Sequence, residues 1–347
     1  MRRGMPKRDN KLIERDAKRG WKPRVIGIFL LPDFPLMAYA SIVEPLRGAN
    51  RYAGIELYQI VNISIDGGPV QASSGTTILS DHPVGVREGL DVLVVCAGGN
   101  AATFDHPATF AWLRALARQK MSLGSVSVGT FVLARAGLLR DNRCTIHWEY
   151  IESLREEFPD LNVSRNLFEV DVNRFSCAGG TSALDMMCAL ISNEFGQQLS
   201  TAVRDWFLHT TVRSGEQAQR TSLRERLGVT HSGLLRVVSR IEESLDAPAS
   251  RQKLAVLAGV STRQLDRLFK HYLGVGVPEY YLRLRLERAR NLLAQTPLSV
   301  TEISLACGFA STSHFSRCYK SRFGGPPNSE RKKAAEARVN LAGKRSG

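Results

Sequence analysis

The stretch LGSVSVGTFVLARAG, Leu123 to Gly137, decides how the first two-thirds of this chain is read. A short apolar run closes on small residues around Ser127, and a helical pattern begins directly after Gly129. A strand that turns so sharply into a helix needs small neighbours, and it carries one side chain over the end of a sheet, as in a nucleophile elbow. The open question is whether the chain is an enzyme or an enzyme-like scaffold put to another use.

The segments around the elbow alternate between strand and helix. RVIGIFLLP (Arg24 to Pro32) is a short apolar, β-branched run ending at proline, the pattern of a buried parallel strand. MAYASIVEPLRGANRY follows with helical spacing, Ala40, Val43, Leu46 and Arg47 spanning its middle turns. LYQIVNISID and LDVLVVCAGGN read as strands, and HPATFAWLRALARQK as an amphipathic helix with Phe110, Leu113, Leu116 and Ala117 on one side. Strands alternating with helices predict a sheet covered on both faces by right-handed crossovers. Ligands of such sheets bind beyond the carboxyl ends of the strands, which is where Gly98, Gly99, Ser127 and its neighbour Val128 should lie.

Composition sets limits on the whole. A chain of 347 residues suggests two domains. No run approaches the roughly 18 apolar residues of a membrane span, and the basic segment 1–23 has no apolar core of signal-peptide length, so it reads as a disordered tail. The six cysteines are scattered without a CxxC pair, which argues against a zinc site or a disulfide framework and fits a reducing cytoplasm. The net charge of +14 is uneven: residues 227–347 hold 20 Lys and Arg against 9 Asp and Glu, whereas residues 24–226 hold 18 against 21. A near-neutral body with a basic final third has the electrostatic outline of a nucleic-acid binder, although charge alone leaves a solvated basic surface equally open.

That final third has its own pattern. In QKLAVLAGVSTRQLDRLFKHY (Gln252 to Tyr272), Leu254, Ala255 and Ala258 give one helix an apolar face and Gly259 lets the chain leave it sharply. Val260 plugs the turn, Ser261 caps the next helix, and Leu265, Leu268 and Phe269 anchor it. The outward face then carries Thr262, Arg263, Asp266, Arg267 and Lys270. A buried helical hairpin would not need so polar a face; a DNA-reading helix-turn-helix would. The pattern recurs 49 residues on in VTEISLACGFASTSHFSRCYKSRFGG. There Ile303, Leu305 and Ala306 precede Gly308, Phe309 plugs the turn, and Phe315, Tyr319 and Phe323 recur at intervals of four. This copy offers Thr312, Ser313, Ser316, Arg317 and Lys320 outward. A long helix, PEYYLRLRLERARNLLAQT, joins the copies, so two recognition helices could enter successive major grooves, about 34 Å apart. Between the halves, Leu208 to Gly233 has few large apolar residues and reads as a linker with some helix.

Two resemblances attach to these residues. SIVEPLRGANR, DGGPVQASSG, VCAGGN, FVLARAGLL, HWEY and CAGGTSALDMM, in that order, resemble the ThiJ/PfpI-type, class I amidotransferase-like domain of GlxA-family regulators, over about residues 24–195. STRQLDRLFKHYLG, LRLERARNLL and ISLACGFASTSHFSRCYKSRFG resemble the AraC/XylS family over about residues 234–332. Together they imply an α/β flavodoxin-like sandwich followed by an all-α domain with two helix-turn-helix units: sensor 24–200, linker 201–233, DNA-binding domain 234–332 and a disordered basic tail 333–347. They imply a cytoplasmic, sequence-specific regulator of double-stranded DNA, more often an activator, which would then engage RNA polymerase. The sensor would be non-catalytic and dimeric and would respond to a small amino acid or a quaternary amine. No metal, cofactor or membrane partner is implied.

The resemblance has departures. Family members usually read G-x-C-T-G at the elbow, whereas this chain reads Ser125-Val126-Ser127-Val128-Gly129, with serine at the cysteine position. A serine needs a dedicated base where a thiolate does not. His147 lies where related enzymes place their histidine, so a Ser127–His147 pair with an oxyanion hole of N–H groups near Gly98 and Gly99 is the alternative reading, a PfpI-like hydrolase or amidase with an accessory DNA-binding domain. Against it, the carboxylate near the start of the first helix is missing: FPLMAYA has no acid before Glu44, and Asp33 comes earlier. Ser127 reads equally as a small turn residue or a ligand contact. His147 and Trp148 read as pocket wall or as core, and Thr181 or Ser182 as the cap of a helix whose N-terminus suits a carboxylate. At the far end, PPNSER puts Glu330 where the AraC/XylS pattern has an aromatic residue.

Overall fold

A computed structural model describes residues 22–86, 89–333 and 336. The basic tails expected at 1–23 and 333–347 lie, apart from residues 22, 23, 333 and 336, outside the described residues. The chain forms two compact units that divide between Gln219 and Arg220.

The first unit holds a seven-stranded sheet. Its elements in chain order are β1 (Arg24–Leu30), α1 (Leu36–Ala53), β2 (Tyr58–Ser64), the short β3 (Val70–Gln71), β4 (Thr77–Ile78) and β5 (His82–Pro83), then β6 (Val92–Ala97), α2 (Pro107–Arg118), β7 (Ser122–Ser127), α3 (Thr130–Arg135), α4 (Ile151–Glu157), β8 (Phe168–Val170), β9 (Arg174–Cys177), α5 (Ser182–Phe195) and α6 (Gln197–Trp206). The strand order is β5-β2-β1-β6-β7-β9-β8, with β3 and β4 forming a separate hairpin. All pairs in the large sheet are parallel except the edge pair β8–β9.

Successive side chains of a strand face opposite ways, so continuous apolar runs must feed two cores. Phe29 and Leu31 with Leu93, Val95 and Ala97 pack beside Leu113, Leu116 and Phe131. Ile26, Ile28 and Leu30 with Val92, Val94 and Cys96 pack beside Ile42, Met186 and Ile191. Of the residues expected along the middle of α1, only Leu46 is buried; the inward face is Ala38, Ile42, Pro45, Leu46, Gly48 and Ala49. A helix face is set by which phase meets its neighbour, and α1 meets α5 and α6.

The linker expected over 201–233 is instead divided. Residues 201–206 complete α6 in the first unit, with Val203 in the core. Residues 208–219 form an irregular strap on that same unit: the Leu167 N–H donates to Gly215 O (2.8 Å), and Gln219 Nε2 donates to Thr145 Oγ1, Ile146 O and Asn166 O, each at 2.9 Å. The polar composition that reads as linker provides these hydrogen bonds.

The second unit is helical: α7 (Leu223–Leu227), α8 (Ser232–Glu243), α9 (Arg251–Ala258), α10 (Thr262–Leu273), α11 (Val277–Gln295), α12 (Val300–Ala306) and α13 (Thr312–Phe323). It has two cores, and α11 belongs to both: Val277, Tyr280 and Tyr281 pack with α8, α9 and α10, and Leu286, Ala289, Leu292 and Leu293 pack with α12 and α13. Gly259 and Gly308, each at φ +74°, make the two turns as expected, and Ser261 and Ser299 form capping boxes with Gln264 and Glu302. Leu305 departs from expectation. It is 64% exposed, and Ser304 takes the inward position beside Ile303, because the phase of the seven-residue α12 points residues 303, 304 and 307 at the core. Glu330, in place of the expected aromatic, binds Arg290 Nε at 2.9 Å and accepts from the Tyr319 hydroxyl at 3.4 Å, so an ion pair closes that end.

Candidate functional site

Strand register builds the elbow. Ala97 pairs with Ser127 and Val126 with Cys177, so the carboxyl ends of β6, β7 and β9 finish side by side. Ser127 has φ +60°, a left-handed conformation that costs a non-glycine residue about 1–2 kcal/mol and marks a site where the surroundings impose the turn. The small neighbours are obligatory. A Cβ on Gly98 would lie 2.0 Å from the Asp33 carbonyl oxygen, one on Gly129 2.3 Å from Val95 O, and one on Gly179 2.7 Å from Ser127 Cβ.

The elbow is closed more than a nucleophile elbow requires. Ser127 is 5% exposed. Val128, proposed from sequence as a ligand contact, lies in the core and spends its N–H on Ala97 O (3.1 Å), so it backs the turn. Gly99 is exposed and opens a short 3-10 turn, and its would-be Cβ lies 2.7 Å from the Tyr150 hydroxyl. His147 is half-buried; its Nδ1 accepts from the Glu149 N–H at 3.4 Å, and burial lowers its pKa, partly offset by Glu149. Trp148 is 38% exposed and lies against the His147 ring at 5.5 Å between centroids, at the surface and not in the core. Among the described residues no hydrogen bond joins Ser127 to His147. Cys177, beside the elbow, is fully buried, and burial pushes its thiol up to about 12 despite the Gly179 and Ser127 N–H groups that oppose the shift.

Thr181 precedes α5 but makes no side-chain cap; its hydroxyl accepts from Arg213 Nη2 at 2.7 Å, while Ser182 Oγ donates to Gly179 O. Arg213 belongs to a cluster that the sequence reading did not find. The Asp185 side chain is fully buried, with Arg213 Nε at 2.8 Å and His209 Nε2 at 2.7 Å, both from the strap. A lone acid inside the apolar run SALDMMCALI was the available signal, because a carboxylate there needs a cation brought to it.

The recognition helices expose all five of the cations expected of them. Thr262, Arg263, Arg267 and Lys270 of α10 and Ser313, Arg317 and Lys320 of α13 are exposed, and Thr312 and Ser316 are half-buried. Asp266 is half-buried and ion-paired with Arg251 of α9, which ties the two helices together and takes it from the set of free base-reading groups. Elsewhere in this unit Arg226 pairs with Glu242, Arg290 with Glu330 and Arg322 with Glu287. Among the described residues, Arg263, Arg267, Lys270, Arg317 and Lys320 have no acidic partner. Exposed cations without an acidic partner thus recur at matching places on the two repeated helices, a distribution that suits a polyanion.

Comparison with known proteins agrees with both units. Residues 26–193 match the DJ-1/PfpI family and residues 254–333 a helix-turn-helix domain. The chain is 44% identical to the HTH-type transcriptional regulator GbdR of Pseudomonas aeruginosa over 89% of this chain and 84% of that one. It is 43% identical to the HTH-type transcriptional regulator GlxA of Rhizobium meliloti over 89% and 96%. Among solved structures, an AraC family transcriptional regulator from Pseudomonas putida aligns with 53% of this chain and 100% of its own at 27% identity and a TM-score of 0.49. Among the described residues no helix is long and apolar enough to cross a membrane. With relatives matched along nearly their whole length, the chain belongs to the GlxA-type HTH transcriptional regulators, in which a DJ-1/PfpI domain precedes an AraC-type helix-turn-helix domain.

Proposed function

We propose that this regulator is a cytoplasmic, dimeric activator that engages RNA polymerase from a two-groove DNA site, and that its DJ-1/PfpI unit senses a small amino acid or quaternary amine without catalysing a reaction. The observation that carries the DNA reading is the set of unpaired cations on α10 and α13. Arginine pairs bidentately with guanine, so Arg263→Ala or Arg267→Ala is expected to lose about 1–3 kcal/mol on the specific site and to relax base preference there. Arg317→Ala should weaken binding as well, and each chain should protect two adjacent major grooves in a footprint. Equal losses on specific and random DNA would reduce these residues to phosphate contacts.

The non-catalytic reading rests on the elbow. Serine replaces the thiol, His147 is turned to Glu149, and no carboxylate stands at the start of α1. The effector would meet Gly98, Gly99, Ser127, His147, Trp148 and Thr181 near the N-terminus of α5, where amide dipoles favour a carboxylate. Ser127→Ala should leave DNA binding intact and weaken the effector response about two- to tenfold, the worth of one hydroxyl hydrogen bond of roughly 0.5–1.5 kcal/mol. Ser127→Leu should abolish the response and also destabilise the unit, because Gly179 leaves no room and φ is positive. Thermal-shift titration of the full chain with amino acids and betaines checks the ligand class. Ester or amide turnover that disappears in Ser127→Ala would establish the hydrolase reading instead.

A further inference from the structure

Each recognition helix sits in its own core, and α11 is the element common to both. A single helix fixes the distance between two readers, and side contacts add to its backbone hydrogen bonds in fixing their relative rotation. One side chain supplies such a contact. Arg285, in the middle of α11, donates from Nε to the Leu245 carbonyl at 2.8 Å, in the segment that leads from α8 to α9 and the first helix-turn-helix. Its guanidinium also lies 5.9 Å from the centroids of Tyr281 and of Phe309, the residue that plugs the second turn. A Cβ on Gly308 of that turn would stand 2.7 Å from Arg285 Nη2 and 2.8 Å from Asp246 O. The segment before the first reader, the joining helix and the turn of the second reader therefore converge on one planar cation.

The cation is held under conditions that stability alone does not favour. Its Nη2 is buried with no hydrogen-bond partner, and burial lowers its pKa. An apolar side chain would fill the space with less desolvation, but it could not hold the Leu245 carbonyl and lie along two rings at once.

We propose that Arg285 is a positioning residue that sets the rotation of α10 relative to α13, and so fixes the half-site spacing the protein accepts on DNA. The inference rests on the reading that both helices contact DNA. Each inserted base pair turns one half-site by about 35° about the duplex axis, so a rigid pair of readers discriminates spacing sharply and a loose pair does not.

The test uses the full chain and a duplex selected by the wild-type protein from a random-sequence library, with one or two base pairs added or removed between the half-sites, and each half-site alone. Wild type should lose about tenfold per base-pair change from the optimum as simultaneous engagement is lost. Arg285→Met should bind the optimum about tenfold more weakly, show a nearly flat spacing profile, and bind single half-sites within about twofold of wild type. Arg285→Lys, which keeps a donor for Leu245 O, should recover part of the selectivity and serves as the readout if the methionine variant does not fold. A wild-type spacing profile in both folded variants, or an equal loss on every duplex including single half-sites, overturns the proposal. A flat profile in the wild type would instead overturn the two-reader interpretation on which it rests.

Discussion

Arg213→Ala lowers the stability of the first unit by about 3 kcal/mol, at the low end of what breaking a buried ion pair costs. Asp185 is fully buried, and Arg213 reaches it with Nε at 2.8 Å and with its own backbone N–H at 3.2 Å. Truncation leaves the carboxylate with His209 and the backbone donor, which compensate only in part, while the exposed Thr181 hydroxyl turns to solvent. The figure sits at the low end because the guanidinium is one-third exposed and part of its interaction is already screened by solvent. For a unit of this size the melting temperature should fall by about 6–12 °C, measured by calorimetry on the full chain, with the transition of the helical unit unchanged. Arg213→Lys should recover only part of the loss, since a point charge cannot bond Asp185 and Thr181 in one plane. A melting temperature within about 1 °C of wild type would mean that His209 and the backbone N–H are enough to hold the buried Asp185.

Gly129→Ala should be at least as damaging, and Gly98→Ala similar. The added methyl at Gly129 meets Val95 O at 2.3 Å and Val126 O at 3.1 Å, and at Gly98 it meets Asp33 O at 2.0 Å. These are backbone atoms of the central strands and of the turn that follows β1, so no side chain can rotate away and the backbone itself must move. Overpacking that forces backbone shifts costs about 1–3 kcal/mol and occasionally more, and these positions belong at the upper end. The expected result is loss of the first unit's cooperative melting transition or insoluble protein. As a control, Gly137→Ala, where nothing lies within 4 Å of the added methyl, should show only the cost of its positive φ, about 1–2 kcal/mol. A well-folded Gly129→Ala variant with intact melting would show that the elbow is not the tight junction its geometry indicates.

Local chemistry made much of this protein legible in its sequence. The β-branched runs at 24–30 and 92–97, the small residues around Ser127, and the repeated pattern of a glycine followed by an apolar plug at Gly259 and Gly308 all act over a few residues, where steric and hydrogen-bonding rules are strong. For the same reason the recognition-helix cations could be named in advance: an amphipathic helix fixes which residues face outward once its apolar stripe is known. Only tertiary structure could decide which residues meet across long stretches of chain. Leu305 turned outward and Ser304 inward through the packing phase of a short helix, and Val128 proved to back the elbow. Asp266 was taken by Arg251, fifteen residues before it, and Glu330 by Arg290, forty residues before it. The segment that composition marked as linker became a strap because Asp185 must bury its charge and found His209 and Arg213 there. A buried charge takes its partner from whichever segment the fold brings near, and that choice is made by packing in three dimensions and has no signature in residue order.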